Sequence, residues 1–583
     1  MDTNGTTTGS LVPPTSIIRS PAMFWIIVSS IPILAIWWWT DYRWRISEGE
    51  PPLVPFKIPW LGHGLDFMND INGFAEWVRS VHPTSEAATI QIAGQHLYLI
   101  FDTKLASQIY RRSQTFIFDP FILQTSQILG ANKQDMKKLT EGAQVVSPAP
   151  AAEDSGSRIL HDLHALTPQH LTGKSLDRLT DYFINVICAD IDKRFPKKDD
   201  ENYAWETMDL CEFVKSTWCH ASITALFGTN IYEIWPGIEK WLWAFDKEFQ
   251  KMFTQMPRAV MPKPYALLDE GQEMCEKWEA EALAAEERGE IGGDPDWDKY
   301  WGLRFVRLRD EYLRKSGLST KFRAGNQVVF IWGLNANAIP IAMQTITRAV
   351  LSPPLLASLI TEIRAASTSS STFDLKGITT SPLFRSVYLE SLRWATASPS
   401  PRVVRQDTQL GPYHLKKGNM AMVHSRTLQM DEATWCIPGK PESHPSKFWA
   451  ERFLDGDSET EKVRVEENAE AESNYSSDIK ASHPVAKPLK PKQHEVVGAK
   501  SKEMQARMLA LRPFGGGTTL CPGRHFATNE IMGGLAALLL RLEIEVDEDA
   551  LAKNGSPLPD LSKQGGLFPD RGLICRVRRR KGV

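Results

Sequence analysis

The sequence predicts a mainly α-helical protein with a small β-rich portion on the N-terminal side of its body and one transmembrane helix ahead of it. Three observations lead to this class. Residues 22–39 (AMFWIIVSSIPILAIWWW) are apolar and carry no charge. Ala88–Asp102 (ATIQIAGQHLYLIFD) holds two β-rich runs around Ala93-Gly94-Gln95, the pattern of a hairpin. Most later segments, such as Met208–Gly228 and Ile238–Phe253, carry apolar residues at helical spacing. Composition agrees with a globular body: of 583 residues, 42% are hydrophobic and 23% charged. That excludes disorder throughout and a many-span membrane protein. A net charge of −3 argues against a nucleic-acid partner, whose binder carries a basic excess. The 7 cysteines are scattered, with no C-x-x-C pair, so neither a disulfide scaffold nor a zinc ribbon is expected, and a reducing compartment fits.

In chain order, residues 1–21 form a short tail in which Asn4-Gly5-Thr6 fits a glycosylation acceptor. The 18 residues of 22–39 are just long enough for a membrane core that takes about 20. Trp25 near one end and Trp37, Trp38, Trp39, Tyr42 and Trp44 at the other suit the two lipid–water boundaries. Pro32 is tolerated in a membrane span. Bulky tryptophans stand where a signal peptide would have a small-x-small cleavage site, so the span reads as a retained anchor. The basic excess after it (Arg43 and Arg45 against Arg19) favours a cytosolic body. A proline-rich hinge is placed at 40–60, its prolines forbidding regular helix. The body spans 61–583. Polar insertions without apolar periodicity are placed at about 133–157 and 455–502, and neither is expected to pack into a core.

The most informative stretch is Leu511–Asn529, LRPFGGGTTLCPGRHFATN. Three glycines precede a lone cysteine, and a helical run follows. Four readings fit: a glycine turn beside a buried cysteine, a phosphate loop, a nucleophilic thiol, or a thiolate ligand to haem iron. A phosphate loop lacks its lysine here. A nucleophile needs a histidine base that sequence does not position. A thiolate ligand needs backbone amides aimed at the sulfur, glycines permitting positive φ and close approach, and a helix N-terminus lowering the thiol pKa.

Phe514-x-x-Gly517-x-x-x-Cys521-x-Gly523-x-x-x-Ala527 resembles the signature of the cytochrome P450 superfamily at all five fixed positions. The resemblance implies the cytochrome P450 fold, mainly α with a small β-rich lobe, over about Pro51 to Arg576. It implies a catalytic domain at 61–583 binding haem b, with Cys521 as the axial ligand of the iron and Phe514, Gly517 and Gly523 shaping the loop. Thr519 stands where the family has a basic residue for a haem propionate, so another group must serve. Upstream, Glu390-x-x-Arg393 lies 131 residues before Cys521, the excess length matching the 455–502 insertion. Phe448-Trp449-Ala450-Glu451-Arg452-Phe453 resembles the family's P-E-R-F segment, with alanine for proline. By resemblance Glu390, Arg393 and Arg452 form a structural network. Arg402 and His161 resemble propionate partners.

The helix that carries the family's oxygen-activating acid and threonine is atypical. VVFIWGLNANAIPIAMQTI (Val328–Ile346) resembles the branch of sterol seven-alpha-hydroxylases and prostacyclin synthase, with Asn337 at the acid position and Pro340 three residues on. Ala338 takes the threonine position. Pro340 frees a carbonyl one turn back and should kink the helix.

The resemblance implies a membrane-anchored haem-thiolate monooxygenase, an oxidoreductase acting on a lipophilic small molecule. Its electrons come from NADPH through a separate cytochrome P450 reductase, since the chain carries no nucleotide fingerprint of its own. Anchor and polar insertions look like fungal enzymes of secondary metabolism, single-pass in the endoplasmic reticulum with a cytosolic catalytic domain. Two alternatives stay open: a reductase-independent haem isomerase or dehydratase acting on a peroxide, suggested by Ala338, and a non-catalytic haem-binding protein.

Overall fold

The expected hairpin begins the β-rich lobe. Ala87–Ile92 pairs antiparallel with Gln95–Ile100, Ala87 facing Ile100 and Ile92 facing Gln95. Ala93 (φ 47°) and Gly94 (φ 80°) turn between them, both left-handed as a two-residue hairpin requires. The computed structural model describes residues 28–37, 48–56, 61–140, 159–198, 202–254, 256–367, 374–454 and 502–582. The sheet continues with Met420–His424, parallel to Gln95–Ile100, then Pro399–Val404 and Phe116–Ile117, both antiparallel. One face packs Tyr98, Ile100, Ile109 and Val423; the other packs Ile90, Leu97, Phe74 and Val78.

The rest is helical. Gly173–Arg194, Leu210–Phe227, Ala338–Val350 and Arg524–Arg541 pack on one another, and Pro262–Glu287 lies against Thr320–Asn335. Thr320–Val350 is long and apolar enough to cross a membrane, yet 67% of its most apolar window is buried inside the protein. Its hydrophobicity on all sides reflects a core helix. A small sheet of Leu542–Val546, Ile574–Arg579 and Glu206–Asp209 closes the C-terminal end.

Several expectations change. Of the span at 22–39, Val28–Trp37 is described: an apolar, largely exposed helix. Its ten residues rise roughly 15 Å, half a hydrocarbon core. The remainder of 22–39 lies outside the described residues. The proline hinge is docked from its second half. Leu53 bridges to Thr89, Val54 N–H donates to Thr89, and Val54 is fully buried. Extended X-Pro backbone suits a sheet edge, where a missing N–H goes unneeded. Gly64–Asn69 then starts the helical pattern, at the beginning of the body placed at 61–583. The insertion expected at 133–157 is corrected at its start. Lys133–Thr140 is a helix, with Leu139 and Asp135 buried. Asp135 accepts from the Ser319 backbone N–H (2.9 Å) and hydroxyl, so the segment is fixed by a polar contact that apolar periodicity does not reveal. Residues 141–158 and 455–501 lie outside the described set. Met208 and Asp209 finish a strand, and the helix expected from Met208 starts at Leu210.

His424 ends its strand with neither ring nitrogen hydrogen-bonded among the described residues, and burial, aided by Arg426, pushes its pKa down to about 3. The unfolded imidazole titrates near 6.5. Its folded value is depressed, so this contribution to stability is full above pH 6.5 and is lost as pH falls toward 3. Denaturant titrations between pH 6.5 and 4 should show His424→Gln losing less stability per pH unit than the parent, by up to about 1.4 kcal/mol. Equal slopes would show that His424 does not carry the acid sensitivity.

Candidate functional site

The cysteine loop folds back on itself. Cys521 N–H donates to the Phe514 carbonyl at 3.0 Å, closing a turn across Gly515–Leu520. Gly515 (φ 75°) and Gly517 (φ 66°) are left-handed, and a Cβ on Gly517 would stand 2.3 Å from the Tyr110 carbonyl. Gly523, in contrast, has an ordinary φ of −81° and caps the helix Arg524–Arg541. A Cβ there would lie 3.8 Å from the Cys521 Sγ, an ordinary contact beside the sulfur. The backbone N–H groups of Gly523 and Arg524 point at the sulfur and act to lower its pKa, but burial outweighs them and the thiol is pushed up. The expected lowering by the helix end is therefore corrected: desolvation exceeds two amides and the Arg524 charge, and a bound cation is what would hold this sulfur as thiolate.

Glu390 and Arg393 share one face of the helix Pro382–Trp394. Arg393 grips the carboxylate through two N–H groups, each at 2.7 Å, and Arg452 Nε donates to its Oε2 at 2.9 Å. All three side chains are 0% exposed. Trp449 N–H completes the shell at 2.9 Å. The outer faces of the arginines donate to the carbonyls of Gln429, Pro445, Lys447 and Ser443. The structure thus brings together the three residues singled out in sequence.

Arg402 leaves the strand Pro399–Val404 to meet Thr519, donating to its hydroxyl, with the Tyr110 and Phe118 rings on its flanks. It is buried, its pKa is pushed down by desolvation, and it has no ion pair to a carboxylate among the described residues. The residue at the family's basic position and the arginine meant to cover for it are therefore neighbours. The backbone of His161 lies in the helix Ile159–His170, and its side chain lies outside the described set.

The atypical helix breaks where the sequence pattern placed a kink. Thr320–Asn335 ends, Asn337 has φ −109° and ψ −40°, and Ala338–Val350 begins with Pro340 in its first turn. Proline is tolerated there because first-turn amides have no helical partner. Asn337 Oδ1 accepts from Gly566 N–H at 2.9 Å, so the amide oxygen is committed and Nδ2 is the end left to donate. Ala338 offers no hydroxyl.

The residues present fit a haem. A desolvated sulfur faces two amides, a buried arginine lacks an anion, and glycines keep the loop thin. Comparisons with known proteins agree. The family description Cytochrome P450 matches residues 345–468, a span that holds Glu390, Arg393 and Arg452 and ends inside the 455–502 insertion. Cytochrome P450 monooxygenase calL of Penicillium decumbens is 26% identical over 92% of this chain and 94% of its own. Cytochrome P450 monooxygenase fsoE of Humicola fuscoatra is 29% identical over 73% and 71%. Cholesterol 7-alpha-monooxygenase of Cricetulus griseus is 23% identical over 93% and 95%. The chain belongs to the cytochrome P450 superfamily. It is an oxidoreductase of the monooxygenase kind, and membership implies haem iron as cofactor. Fungal P450 monooxygenases and a mammalian seven-alpha-hydroxylase stand together among its relatives, as the Asn337-x-x-Pro340 pattern suggested.

Sequence reasoning missed two residues of this P450. Tyr110 receives Gly516 and Gly517 against its ring and backbone and lies under both Arg402 and Arg512. Gln429 donates to the Arg393 and Thr396 carbonyls and accepts from Arg512 N–H. Neither sits in a motif, and only tertiary contact identifies them.

Removing Glu390 leaves two buried arginines uncompensated, a loss of about 3–5 kcal/mol. Glu390→Ala should show this as a lowered unfolding midpoint and poor haem incorporation. A variant with parental thermal stability and full haem content would contradict the structural role.

Proposed function

We propose that this P450 is a membrane-anchored haem-thiolate monooxygenase that oxidises a lipophilic small molecule in fungal specialised metabolism. The observation that carries the reading is the Cys521 sulfur, held under the amides of Gly523 and Arg524 on a loop closed by Phe514. In this reading Cys521 would hold the haem iron, and Arg402, with Thr519, would receive a haem propionate in place of the missing basic residue. Bound haem supplies the oxidising chemistry, and thiolate donation favours O–O cleavage. The apolar Val28–Trp37 helix supports a membrane anchor, which this reading assigns to the endoplasmic reticulum with the catalytic domain in the cytosol. Electrons from NADPH reach the haem through a separate cytochrome P450 reductase.

Asn337 and Ala338 define how protons travel. Position 338 has no hydroxyl, and an amide cannot release a proton as a carboxylic acid does. Asn337 Nδ2 instead orients a water or a substrate hydroxyl, and the relay runs through that group. Ala338 is also the one observation favouring a reductase-independent isomerase. Incorporation of one labelled oxygen atom from dioxygen, dependent on NADPH and reductase, supports oxygenation. Unlabelled product formed from a peroxide without reductase overturns it, and loaded protein with no turnover under either condition leaves a haem-binding role alone.

Cys521→Ser should lose the long-wavelength absorption of reduced, carbon-monoxide-treated protein together with turnover. An unchanged band would remove Cys521 as ligand. Ala338→Thr should keep turnover and release less peroxide per NADPH consumed. Peroxide leakage at or above the parental level would count against a water-borne relay at this position.

A further inference from the structure

On the N-terminal side of the helix break, an aromatic cluster surrounds a carboxylate. On the helix Ile238–Phe249, Trp243, Asp246 and Phe249 follow one another at intervals of one turn and share a face. That face meets two other elements. Phe249 packs on Trp332 of the helix Thr320–Asn335, with ring centroids at 4.6 Å. Trp243 meets Phe568 of the C-terminal turn edge-on at 5.5 Å. Between them Trp332 Nε1 donates to Asp246 Oδ1 at 2.9 Å. This is the single hydrogen bond of the carboxylate among the described residues, and it forms no ion pair there. Burial pushes its pKa up from the usual carboxylate range.

Holding Trp332 does not require a charge, since a backbone carbonyl accepts an indole N–H equally well elsewhere in this chain, as Leu267 does for Trp241. The remaining oxygen, Oδ2, accepts no hydrogen bond among the described residues and is not sealed off, so it is available to a donor. Gly333, next to Trp332 in the chain, faces open space. A Cβ on Gly333 would meet no heavy atom within 4 Å, and Gly333 and Asn337, one turn apart, are both exposed while Asn335, Ala336 and Ala338 are buried. Trp332 stands five residues before Asn337, roughly 7.5 Å along a helix axis, a ring-sized separation.

We propose that Asp246 anchors the substrate by accepting a hydrogen bond from its hydroxyl, which makes the substrate a lipophilic alcohol. This rests on the monooxygenase reading above and names its substrate class. Charge decides between a hydroxyl and an ammonium group. Lys563, Lys247 and Lys215 lie near enough to favour its ionised form, so their positive field opposes an incoming ammonium, whereas a neutral donor meets no such repulsion. Lys215 is itself held by Glu212 and the Trp243 ring.

The test uses the haem-loaded full chain and a panel of matched probes: terpenoid, sterol and polyketide alcohols, each with its methyl ether, ketone and primary-amine analogue. Binding is read from the substrate-induced shift of the haem absorption. Parental protein should bind at least one alcohol about tenfold or more tightly than its ether. Asp246→Leu should bring alcohol and ether within about twofold. Asp246→Asn keeps an acceptor for Trp332 and turns the free end into a donor, so preference should move toward the ketone. A panel in which no alcohol outbinds its ether, undiminished discrimination in Asp246→Leu, or an amine that outbinds its alcohol overturns the proposal. The reduced carbon-monoxide spectrum is recorded for every protein. Its absence in the parent overturns the haem-thiolate reading itself, while a normal spectrum with no alcohol preference overturns the Asp246 assignment alone.

Discussion

Glu390 is a carboxylate that water does not reach, and much of the haem-side architecture follows from satisfying it. An ionised group taken from water into protein loses several kcal/mol unless each lone pair finds a donor. Here Oε1 takes Arg393 and the Trp449 backbone N–H, and Oε2 takes Arg393 and Arg452. The arginines bring their own demands, since each guanidinium has five N–H groups. Those left over reach carbonyls of a segment with little regular structure, Gln429 to Lys447. One charge on a helix thereby shapes the chain from Gln429 to Lys447, which hydrophobic burial alone would leave underdetermined.

That segment connects to the cysteine loop through hydrogen bonds to uncharged acceptors. Gln429 accepts from Arg512 N–H, and Arg512 donates to Ser107 on the helix Thr103–Arg111. The same helix presents Tyr110, against which Gly516 and Gly517 close. The loop is therefore clamped between the helical body and the β-rich lobe, and Arg402 arrives from the lobe side. Loss of the basic residue at position 519 is tolerable in this arrangement. A threonine hydroxyl accepts from the arriving guanidinium, and one buried cation remains where two would repel.

Legibility in the sequence followed range. The hairpin at Ala93-Gly94 was readable because its signal is local and its φ requirement specific. The loop at Phe514–Cys521 was readable because the chemistry fixes residue types at fixed spacing, whereas Glu390 and Arg393 took their role from resemblance, since any surface helix can show that spacing. Arg452 came only through resemblance, since its partner is 62 residues away. The docked prolines at 51–54, the helix at Lys133–Thr140 and the roles of Tyr110 and Gln429 were not readable. In each case a contact distant in sequence decides the outcome: Thr89 for Val54, Ser319 for Asp135, the glycines for Tyr110. The thiol of Cys521 shows another limit, because motif logic supplied the sign of the amide effect but not its size against burial.

The break at Asn337 ties these strands to chemistry. Its amide oxygen holds Gly566 N–H, Gln344 donates to the Leu567 carbonyl, and Arg348 donates to that of Pro557. Three residues spread over three turns of one helix thus pin the C-terminal turn that carries Phe568. An aspartate at 337 would accept the same Gly566 N–H, but as a charge at the mouth of an apolar space, with its proton lost whenever it was ionised. An asparagine makes that contact at every pH and still presents a donor. The consequence is a polar hook of fixed geometry in place of a proton source, which moves the burden of proton delivery onto water or onto the substrate. A substrate hydroxyl anchored at Asp246 would not itself serve that relay, since its hydrogen is engaged one aromatic layer away. In an alcohol with a single hydroxyl, ordered water held by Asn337 is then the group left to carry the proton.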